Sequence, residues 1–469
     1  MKKLLLIFFC LTFCFALISC DVFPVGFDTQ KEDELEATEG LKYILIDEGS
    51  AFKVTGLRKS NDTDIIIPKI YNNLPVMYIE VSAFYSQENI TSVFIPDSIV
   101  GIGDRAFLDC PALSNITVAE NNENYKSIDG NLYTKDGKTL IQYAAGKKDA
   151  SFVIPDGVTS IGDSAFYNCD NLTGITIPSS VTSIGDSAFY HCDSLTGIIV
   201  DSNNENYKSI DGNLYTKDGK TLMQYAIGKT DTSFIIPDGV TSIDSVAFRG
   251  CNSLTGITIP DSVTSIVSYA FYDFDSLTGI YIPSSVTSIG DRAFSGCDNL
   301  TDINIPSSVA SIGDGAFSGC SSLTDINIPS SVTSIGEMAF SGCSSLTGIT
   351  IPDSVTDIGY MAFSGCTSLT GITIPDSVTD IGYMAFLGCD NLASITIPSS
   401  VTSIDNYAFH GCKKLKNVYY IGTNIEWNAI NIGSFNPNLT YATRYYYSET
   451  EPTKNGNFWH YVDGEIVVW

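Results

Sequence analysis

Residues 172–192 contain the pattern that decides the fold, Leu172-Thr-Gly-Ile175-Thr-Ile177-Pro178-Ser-Ser-Val181-Thr-Ser-Ile184-Gly185-Asp-Ser-Ala188-Phe189-Tyr-His-Cys192. The Leu-x-x-Ile-x-Ile part alternates and is β-branched, which predicts a short strand that the following proline ends. Val181 and Ile184 predict a second extended segment. Gly185 permits the turn into a short helical piece that carries Ala188 and Phe189. None of these pieces can bury its apolar side alone, so we expect such units to stack.

The dipeptide Ala-Phe marks the period of the chain. Within the repeats its phenylalanines are Phe84, Phe107, Phe166, Phe189, Phe248, Phe271, Phe294, Phe317, Phe340, Phe363, Phe386 and Phe409. Nine intervals are 23 residues and two are 59, so a unit of 36 residues has been inserted twice. In the inserts, 119–154 and 201–236, we predict β-hairpins with type I′ turns at Asp136-Gly137 and Asp218-Gly219. The fixed period predicts a repeat solenoid.

The repeated phrase Thr-Ser-Ile-Gly-x-x-Ala-Phe-x-Gly-Cys-x-x-Leu-Thr-x-Ile-x-Ile-Pro-x-Ser-Val is legible from Ser82 to Cys412. It resembles the leucine-rich-repeat superfamily, and within it the BspA-like bacterial surface proteins with 23-residue repeats. The resemblance implies a β-rich leucine-rich-repeat solenoid with short helical turns, and adhesion to host or bacterial proteins. One departure is that the column where such repeats place asparagine holds serine or glycine, so we do not expect their horseshoe curvature to carry over. The residues in that column include Gly157, Ser180, Gly239, Ser262 and Ser285.

The two ends of the chain differ from the repeats. We predict a signal peptide over 1–19, a polar tether over 20–40, an N-terminal cap over 41–81, the solenoid over 82–418 and a C-terminal aromatic cap over 419–469. The last segment holds all three tryptophans, Trp427, Trp459 and Trp469. Large aromatic side chains can close the open end of a stack, but they could also form a platform that binds a glycan. A carbohydrate-binding or envelope-structural lipoprotein is therefore the alternative function.

The first twenty residues have the parts of an export signal. Lys2 and Lys3 precede an apolar run that ends in Leu17-Ile18-Ser19-Cys20. This ending resembles a bacterial lipobox, which makes Cys20 the predicted lipidation site; the alternative is an ordinary signal peptide with a chance cysteine. Several acyl chains would anchor the protein stably. We therefore expect a lipid-anchored protein of a bacterial cell envelope, exposed on the outer membrane surface.

The charge of the chain excludes some partners. Without Lys2 and Lys3, 23 of the 25 basic residues remain against 53 acidic residues, so the mature chain carries a net charge of about −30. A surface this negative argues against nucleic acid and against docking on anionic lipid, so we expect membrane contact only through the lipid anchor.

Ten cysteines recur three residues after the phenylalanine of a repeat. They are Cys110, Cys169, Cys192, Cys251, Cys297, Cys320, Cys343, Cys366, Cys389 and Cys412. Exported proteins normally pair their cysteines, and residues on adjacent coils lie within disulfide range. Phe274 fills the same slot in one repeat, however, and this substitution favours buried free thiols.

Catalytic and cofactor motifs are weak. The three histidines are His191, His410 and His460, and no Cys-x-x-Cys pair completes a metal-ligand set. Gly137-Lys138-Thr139 and Gly219-Lys220-Thr221 lack the leading glycine of a phosphate-binding loop. We expect no enzyme, no cofactor and no metal.

One residue between the two inward isoleucines of each strand should point outward and form a ligand-binding face. In leucine-rich repeats this sheet face is the usual partner-binding surface. The predicted site residues are Thr176, Thr258, Tyr281, Asn304, Asn327, Thr350, Thr373 and Thr396, in a column that also includes Thr117 and Ile199. A protein ligand or a glycan chain would suit these groups. Threonine also fills exposed strand positions without any function, and for any single residue that interpretation is the simpler one.

Cys20 gives the first testable prediction. Metabolic labelling with palmitate should require the Cys20 sulfur, because the lipid is attached through a thioether. A Cys20→Ser variant should lose the label and leave the detergent phase. A variant that still partitions into detergent with unchanged mass would show that the lipoprotein interpretation is wrong.

Overall fold

Each 23-residue unit forms one coil with a front strand, a short side strand and a turn segment. The computed structural model describes residues 35–58, 61–453 and 455–469, so the predicted signal peptide and Cys20 lie outside the described residues. The stacked coils form a β-solenoid, as the repeat pattern predicted. In the described residues, no helix is long and apolar enough to cross a membrane.

The Leu-x-x-Ile-x-Ile segments pair in parallel and form what we call the front sheet. The register places equivalent residues side by side, as with Gly256 beside Gly279 and Thr258 beside Tyr281. The front strands are Ser92–Ile95, Asn115–Val118, Ser151–Val153, Gly174–Ile177, Gly197–Val200, Ser233–Ile235, Gly256–Thr258, Gly279–Tyr281, Asp302–Asn304, Gly371–Thr373, Ser394–Pro398 and Asn417–Ile421. Single bridges join Asn304 to Asn327 and Asn327 to Thr350 where the strands are shortest.

The second segment of each coil is a two-residue side strand. These strands are Gly101–Ile102, Ser160–Ile161, Ser183–Ile184, Ser242–Ile243, Ser288–Ile289, Ser311–Ile312, Ser334–Ile335, Asp357–Ile358, Asp380–Ile381, Ser403–Ile404 and Asn431–Ile432. The chain then passes through turns such as the one in which Ser295 N donates to Arg292 O at 3.2 Å. The predicted helical piece is thus a spiral of turns, because residues with positive φ such as Arg292 (51°) and Gly296 (77°) prevent a continuous helix.

The core is a set of columns that run along the solenoid axis. From Phe271 to Phe409, successive phenylalanine rings stack with centroids 5.1 to 5.5 Å apart. Isoleucine, valine, leucine and alanine columns surround this ladder and are buried with it. The ring spacing is close to the separation of neighbouring hydrogen-bonded strands. The same ring contact can therefore recur from coil to coil.

The ten repeat cysteines are buried free thiols, which confirms the prediction. In eight coils the Sγ lies 2.9 to 3.2 Å from the carbonyl oxygen of the preceding coil's phenylalanine, to which it donates. The slot is therefore not simply apolar, since the thiol also satisfies a buried carbonyl. Phe274 fills the slot without such a donor and stacks on Phe271 instead.

The serine column replaces the missing asparagine. Ser180, Ser262 and Ser285 donate to the valine carbonyl 22 residues earlier, at 2.5 to 2.7 Å. Inside the inserts an asparagine is present: Asn122 Nδ2 donates to Pro96 O and Ile99 O. Either side chain thus satisfies turn carbonyls of the preceding coil.

Each insert is one enlarged coil. Tyr143 and Tyr225 occupy the phenylalanine position, because their rings lie 5.4 Å from Phe166 and 5.7 Å from Phe248. The additional residues form an antiparallel meander that ends at the side strands. Its strands are Tyr125–Ile128, Asn131–Thr134 and Thr139–Gln142 in the first insert, and Tyr207–Ile210, Asn213–Thr216 and Thr221–Gln224 in the second.

The predicted position of the type I′ turns is wrong. Asp129-Gly130 has positive φ at both residues (48° and 71°) and joins two strands directly, as does Asp211-Gly212. At the predicted place, the connection over 135–138 is longer, and only Gly137 has positive φ. There Asp136 Oδ1 accepts from Lys138 N at 2.9 Å, and this hydrogen bond chiefly holds the Asp136 pKa below its ordinary value.

Both ends of the solenoid add antiparallel pairs to the parallel stacking, between the first two strands, between the strands at 70–71 and 74–79, and between the last two strands. The N-terminal strands are Leu41–Ile46, Ala51–Leu57, Asp64–Ile66, Ile70–Tyr71 and Leu74–Ile79, with a 3-10 turn at Asp47–Gly49. The C-terminal elements are the helices Asn424–Ala429 and Pro437–Tyr441 and the strands Thr443–Tyr447, Phe458–Val462 and Glu465–Val468. The last two strands form a hairpin that ends the front sheet.

The phenylalanine ladder gives a stability prediction. Phe340 is fully buried between Phe317 and Phe363, so Phe340→Ala should lower the free energy of unfolding by about 3 to 5 kcal/mol. Guanidinium unfolding followed by circular dichroism measures the loss. Thr333→Ala is the control, because this exposed side chain lies one segment away in the same coil. Equal stability of the two variants would contradict the ladder.

The thiols give a second prediction for the fold. Burial raises the pKa of Cys366 and of Cys412 to about 12, so both remain neutral and shielded at pH 8. The native mature protein should resist maleimide, and all ten repeat thiols should react in guanidinium without reductant. Protection that persists after denaturation until reductant is added would instead indicate disulfides.

Candidate binding surface

The predicted ligand-binding column lies on the outside of the front sheet. Six of the eight predicted site residues are exposed, namely Thr258, Tyr281, Asn304, Asn327, Thr350 and Thr373. Parallel pairing aligns them, because each lies in register with its neighbour in the next coil wherever strands or bridges connect them. The front sheet therefore presents one outward side chain from each coil.

Two of the predicted site residues are less accessible. Thr176 is half-buried, and Thr396 is buried, so the inclusion of Thr396 is wrong. Thr396 lies in register with Tyr419, whose ring points to the same face and lies 5.5 Å from the ring of Trp459. Aromatic side chains of the C-terminal strands thus cover this end of the column. Cys20, the predicted lipidation site, lies outside the described residues.

The exposed column is free of internal hydrogen bonds. Within the described part of the chain, the side chains of Thr258, Tyr281, Asn304, Asn327, Thr350 and Thr373 have no hydrogen-bond partner. The neighbouring threonines differ, since Thr278 Oγ1 donates to Thr255 O at 3.1 Å and Thr301 Oγ1 donates to Thr278 O at 3.2 Å. The threonines just before the side strands are also partly hydrogen-bonded, because Thr287 Oγ1 donates to Thr264 O at 3.2 Å. In these coils the outward column therefore keeps its polar groups available to a partner, whereas many of the neighbouring threonines bond to the backbone.

Large apolar side chains flank the inserts in the same column. Val153 is 65% exposed, Ile199 59%, Ile235 72% and Tyr281 60%. Val153 lies in register with Thr176, and Ile235 lies in register with Thr258. The sequence analysis missed Val153 and Ile235 because it placed both in the inserts. Alignment of Val153-Ile154-Pro155 with Thr176-Ile177-Pro178 would have revealed their position.

The front strands from Gly256 to Thr373 carry no basic residue. Between residues 230 and 412 the only basic residues are Arg249 and Arg292, and both lie in turn segments away from the front sheet. Asp302 and Asp325 are exposed beside the outward column. A partner that docks here meets neutral hydroxyl, amide and apolar groups bordered by carboxylates.

The C-terminal tryptophans do not form an exposed platform. Trp459 is buried and its Nε1 donates to Tyr420 O at 3.2 Å, while Trp427 is buried against Tyr420. Trp469 is partly exposed and stacks on His460. The aromatic site of the alternative function would thus retain one accessible tryptophan of three.

The residues considered for chemistry are scattered. His191 and His410 lie on the turn segments of coils far apart in the stack, and His460 lies in the final hairpin. Gly137 and Lys138 lie in a strand connection, and Thr139 begins the next strand. Among the described residues, no group of three or more His, Cys, Asp or Glu side chains could hold a metal ion.

A parallel β-solenoid of 23-residue coils with a buried phenylalanine ladder defines the class as leucine-rich-repeat proteins. The model of the BspA type leucine rich repeat region matches residues 58–138, 145–230, 220–347 and 333–443. The chain therefore belongs to the BspA-type leucine-rich-repeat family, as its repeats predicted. No curated protein is significantly similar to it.

Several solved structures are similar to this chain. A leucine rich cell surface protein from Faecalibacterium prausnitzii is 30% identical, with 84% of this chain and 97% of that chain covered and a TM-score of 0.42. A leucine-rich repeat protein from Eubacterium ventriosum is 26% identical, with 80% and 93% covered and a TM-score of 0.47. One from Bacteroides ovatus is 26% identical, with 88% and 94% covered and a TM-score of 0.43.

Proposed function

We propose that this protein is a lipid-anchored module of a bacterial cell envelope that binds protein partners through its front sheet in adhesion. The observation that carries the proposal is the outward column, whose exposed side chains keep their polar groups free while neighbouring threonines bond to the backbone. Leucine-rich-repeat proteins of this family are protein-interaction modules, and one similar structure is described as a cell surface protein.

The partner-binding site extends over several coils. Val153, Ile199, Ile235 and Tyr281 supply apolar contact area, and the asparagines and threonines between Asn304 and Thr373 supply hydrogen bonds. Large aromatic side chains that become buried contribute most binding energy in protein interfaces, so Tyr281 should contribute most to affinity. The partner is a protein of a host or of another bacterium, with no cofactor and no catalysis involved.

Anchoring at Cys20 would place the body on the outer membrane surface. The acidic stretch after Cys20 separates the lipid from the first strand at Leu41, which suits a tether. The C-terminal hairpin, whose own Trp459 is buried, would serve as the cap that stops further stacking.

The test replaces the outward column with charge. The combined change of Tyr281, Asn304, Asn327 and Thr350 to lysine should abolish adhesion and leave the fold intact, because these side chains are exposed. Adhesion to immobilised extracellular-matrix proteins and to whole bacteria is measured, with folding checked by circular dichroism.

The matched control places four lysines at Thr287, Thr333, Thr356 and Thr379, which are exposed beside the side strands of nearby coils. This variant adds the same charge and should keep adhesion. Equal loss in both variants would indicate bulk charge, and unchanged adhesion in the first variant would refute the front-sheet site.

A further inference from the structure

The turn segments of the last coils carry large apolar side chains at a position that does not favour them. The residue before the alanine of each Ala-Phe pair has a left-handed backbone, and serine or glycine fills this position at Ser164, Ser187 and Gly315. Bulky residues rarely adopt this conformation, so the fold alone does not select them. Five consecutive coils nevertheless place one there, namely Met338 (φ 55°), Met361 (50°), Met384 (57°), Tyr407 (59°) and Phe435 (63°).

Backbone hydrogen bonds align these side chains in one row. Met338 N donates to Tyr360 O at 2.8 Å, and the following coils repeat this bond. The residue just before each of these positions is aligned in the same way, which brings Tyr360 and Tyr383 beside the methionines. We call the row the apolar strip, and its members are Met338, Tyr360, Met361, Tyr383, Met384, Tyr407 and Phe435.

The rings of the strip contact one another along its length. Tyr360 and Tyr383 stack with their centroids 5.9 Å apart, and Tyr383 meets the edge of Tyr407 at 5.9 Å. Tyr407 in turn stacks on Phe435 at 4.4 Å. Phe435 is 59% exposed and the other members are half-buried. Rings that are already held lose little freedom on binding, and methionine adapts its shape to an irregular partner.

Carboxylates border the strip along the side strands. Asp357 and Asp380 lie in register on neighbouring side strands, and each precedes a tyrosine of the strip by three residues. Both side chains are exposed, as are those of Glu337 and Asp405. A ligand on the strip therefore meets a row of negative charges along one edge.

A shallow depression adjoins the strip near its C-terminal end. Asp380 and Asp405 line it, together with Asn406, which directly precedes Tyr407 of the strip. The hydroxyl of Ser403 donates to Asp380 Oδ1, and this hydrogen bond chiefly holds the Asp380 pKa below its ordinary value. Asp380 is therefore ionised at neutral pH, and a cationic side chain can reach it from the open depression.

No lysine or arginine of the same coils neutralises these carboxylates. The sequence between Arg292 and Lys413 contains neither residue type. Lys413 itself is paired with Asp390 at 2.8 Å. An anionic polymer or an anionic lipid surface would be repelled from this edge, whereas a cationic partner would be attracted.

We propose that the apolar strip binds a protein segment that combines apolar side chains with lysine or arginine. The apolar side chains of such a segment pack on the methionines and rings, and its cations pair with the carboxylates along the side strands. A purely apolar segment would leave those carboxylates without a partner, and a purely basic segment would leave the strip uncovered. The proposal is independent of the front-sheet site, because the strip lies on the turn segments.

The test measures the fluorescence anisotropy of a labelled amphipathic peptide of about 14 leucine and lysine residues. The mature chain, residues 20–469, should bind this leucine–lysine peptide saturably in detergent-free buffer. A lysine–serine peptide of the same charge should bind at least about tenfold more weakly, and a leucine–glutamate peptide should bind more weakly still.

A serine variant removes the centre of the strip. Tyr360→Ser/Met361→Ser/Tyr383→Ser/Met384→Ser should weaken binding of the leucine–lysine peptide at least about tenfold, which corresponds to about 1.4 kcal/mol. The fold should persist by circular dichroism, because Ser268 and Ser164 occupy the two equivalent positions in other coils.

A second variant removes charge and leaves the strip intact. Asp357→Ser/Asp380→Ser should weaken binding of the same peptide and reduce its salt dependence, because two attractive charges are lost. Serine is compatible with this column, since Ser403 lies in register with Asp380.

Each variant has a matched control. Tyr167→Ser/Tyr190→Ser removes two half-buried rings from turn segments where Arg249 stacks on Tyr190. Asp238→Ser/Asp261→Ser removes two exposed carboxylates that follow the front-strand prolines. Both controls should keep the affinity for the leucine–lysine peptide.

Three results would overturn the proposal. They are the absence of saturable binding by the leucine–lysine peptide, equal affinity for the lysine–serine peptide, and equal loss in a variant and its control. Self-association of the wild-type chain that the serine variant abolishes would assign the strip to a second copy instead, which would also overturn it.

Discussion

Stacking of one coil on the next at the spacing of paired strands is the constraint on which the structure depends. A front strand of three or four residues buries too little to be stable alone, so its energy comes from columns shared with both neighbours. The phenylalanine rings at 5.1 to 5.5 Å and the cysteine thiols that reach the preceding coil satisfy the same spacing. Loss of one ring therefore disturbs three coils.

The inserts show how strict this constraint is. Thirteen extra residues enter each enlarged coil, 36 against 23, yet Tyr143 and Tyr225 still occupy the ring column. The extra residues form an antiparallel meander that pairs with the side strands. This accommodation affects the two faces differently. It leaves exposed apolar residues on the front sheet at Val153 and Ile235, and it draws distant turn segments together.

The side chains outside the packed columns are the ones available for binding. The six exposed outward positions from Thr258 to Thr373 are free of internal hydrogen bonds, so they can vary with little cost to the stack. The turn segments beside the second insert are different, because Tyr190, Arg249 and Tyr272 hold one another through cation–ring contacts. A variable, open face suits a protein partner.

The sequence by itself determined the solenoid, the inward columns, the free thiols and the outward direction of Tyr281 and its neighbours, because a period of 23 residues repeats each local environment. It misplaced the type I′ turn, which both Asp129-Gly130 and Asp136-Gly137 could have formed, since strand pairing alone decides between them. Burial of Thr396 depended on rings from strands that follow it. The closing of the turn segments over the inserts depended on contacts such as Asp109 with Asn168, 59 residues apart. Periodicity fixes what every coil shares, whereas only tertiary structure decides what happens where the period is broken.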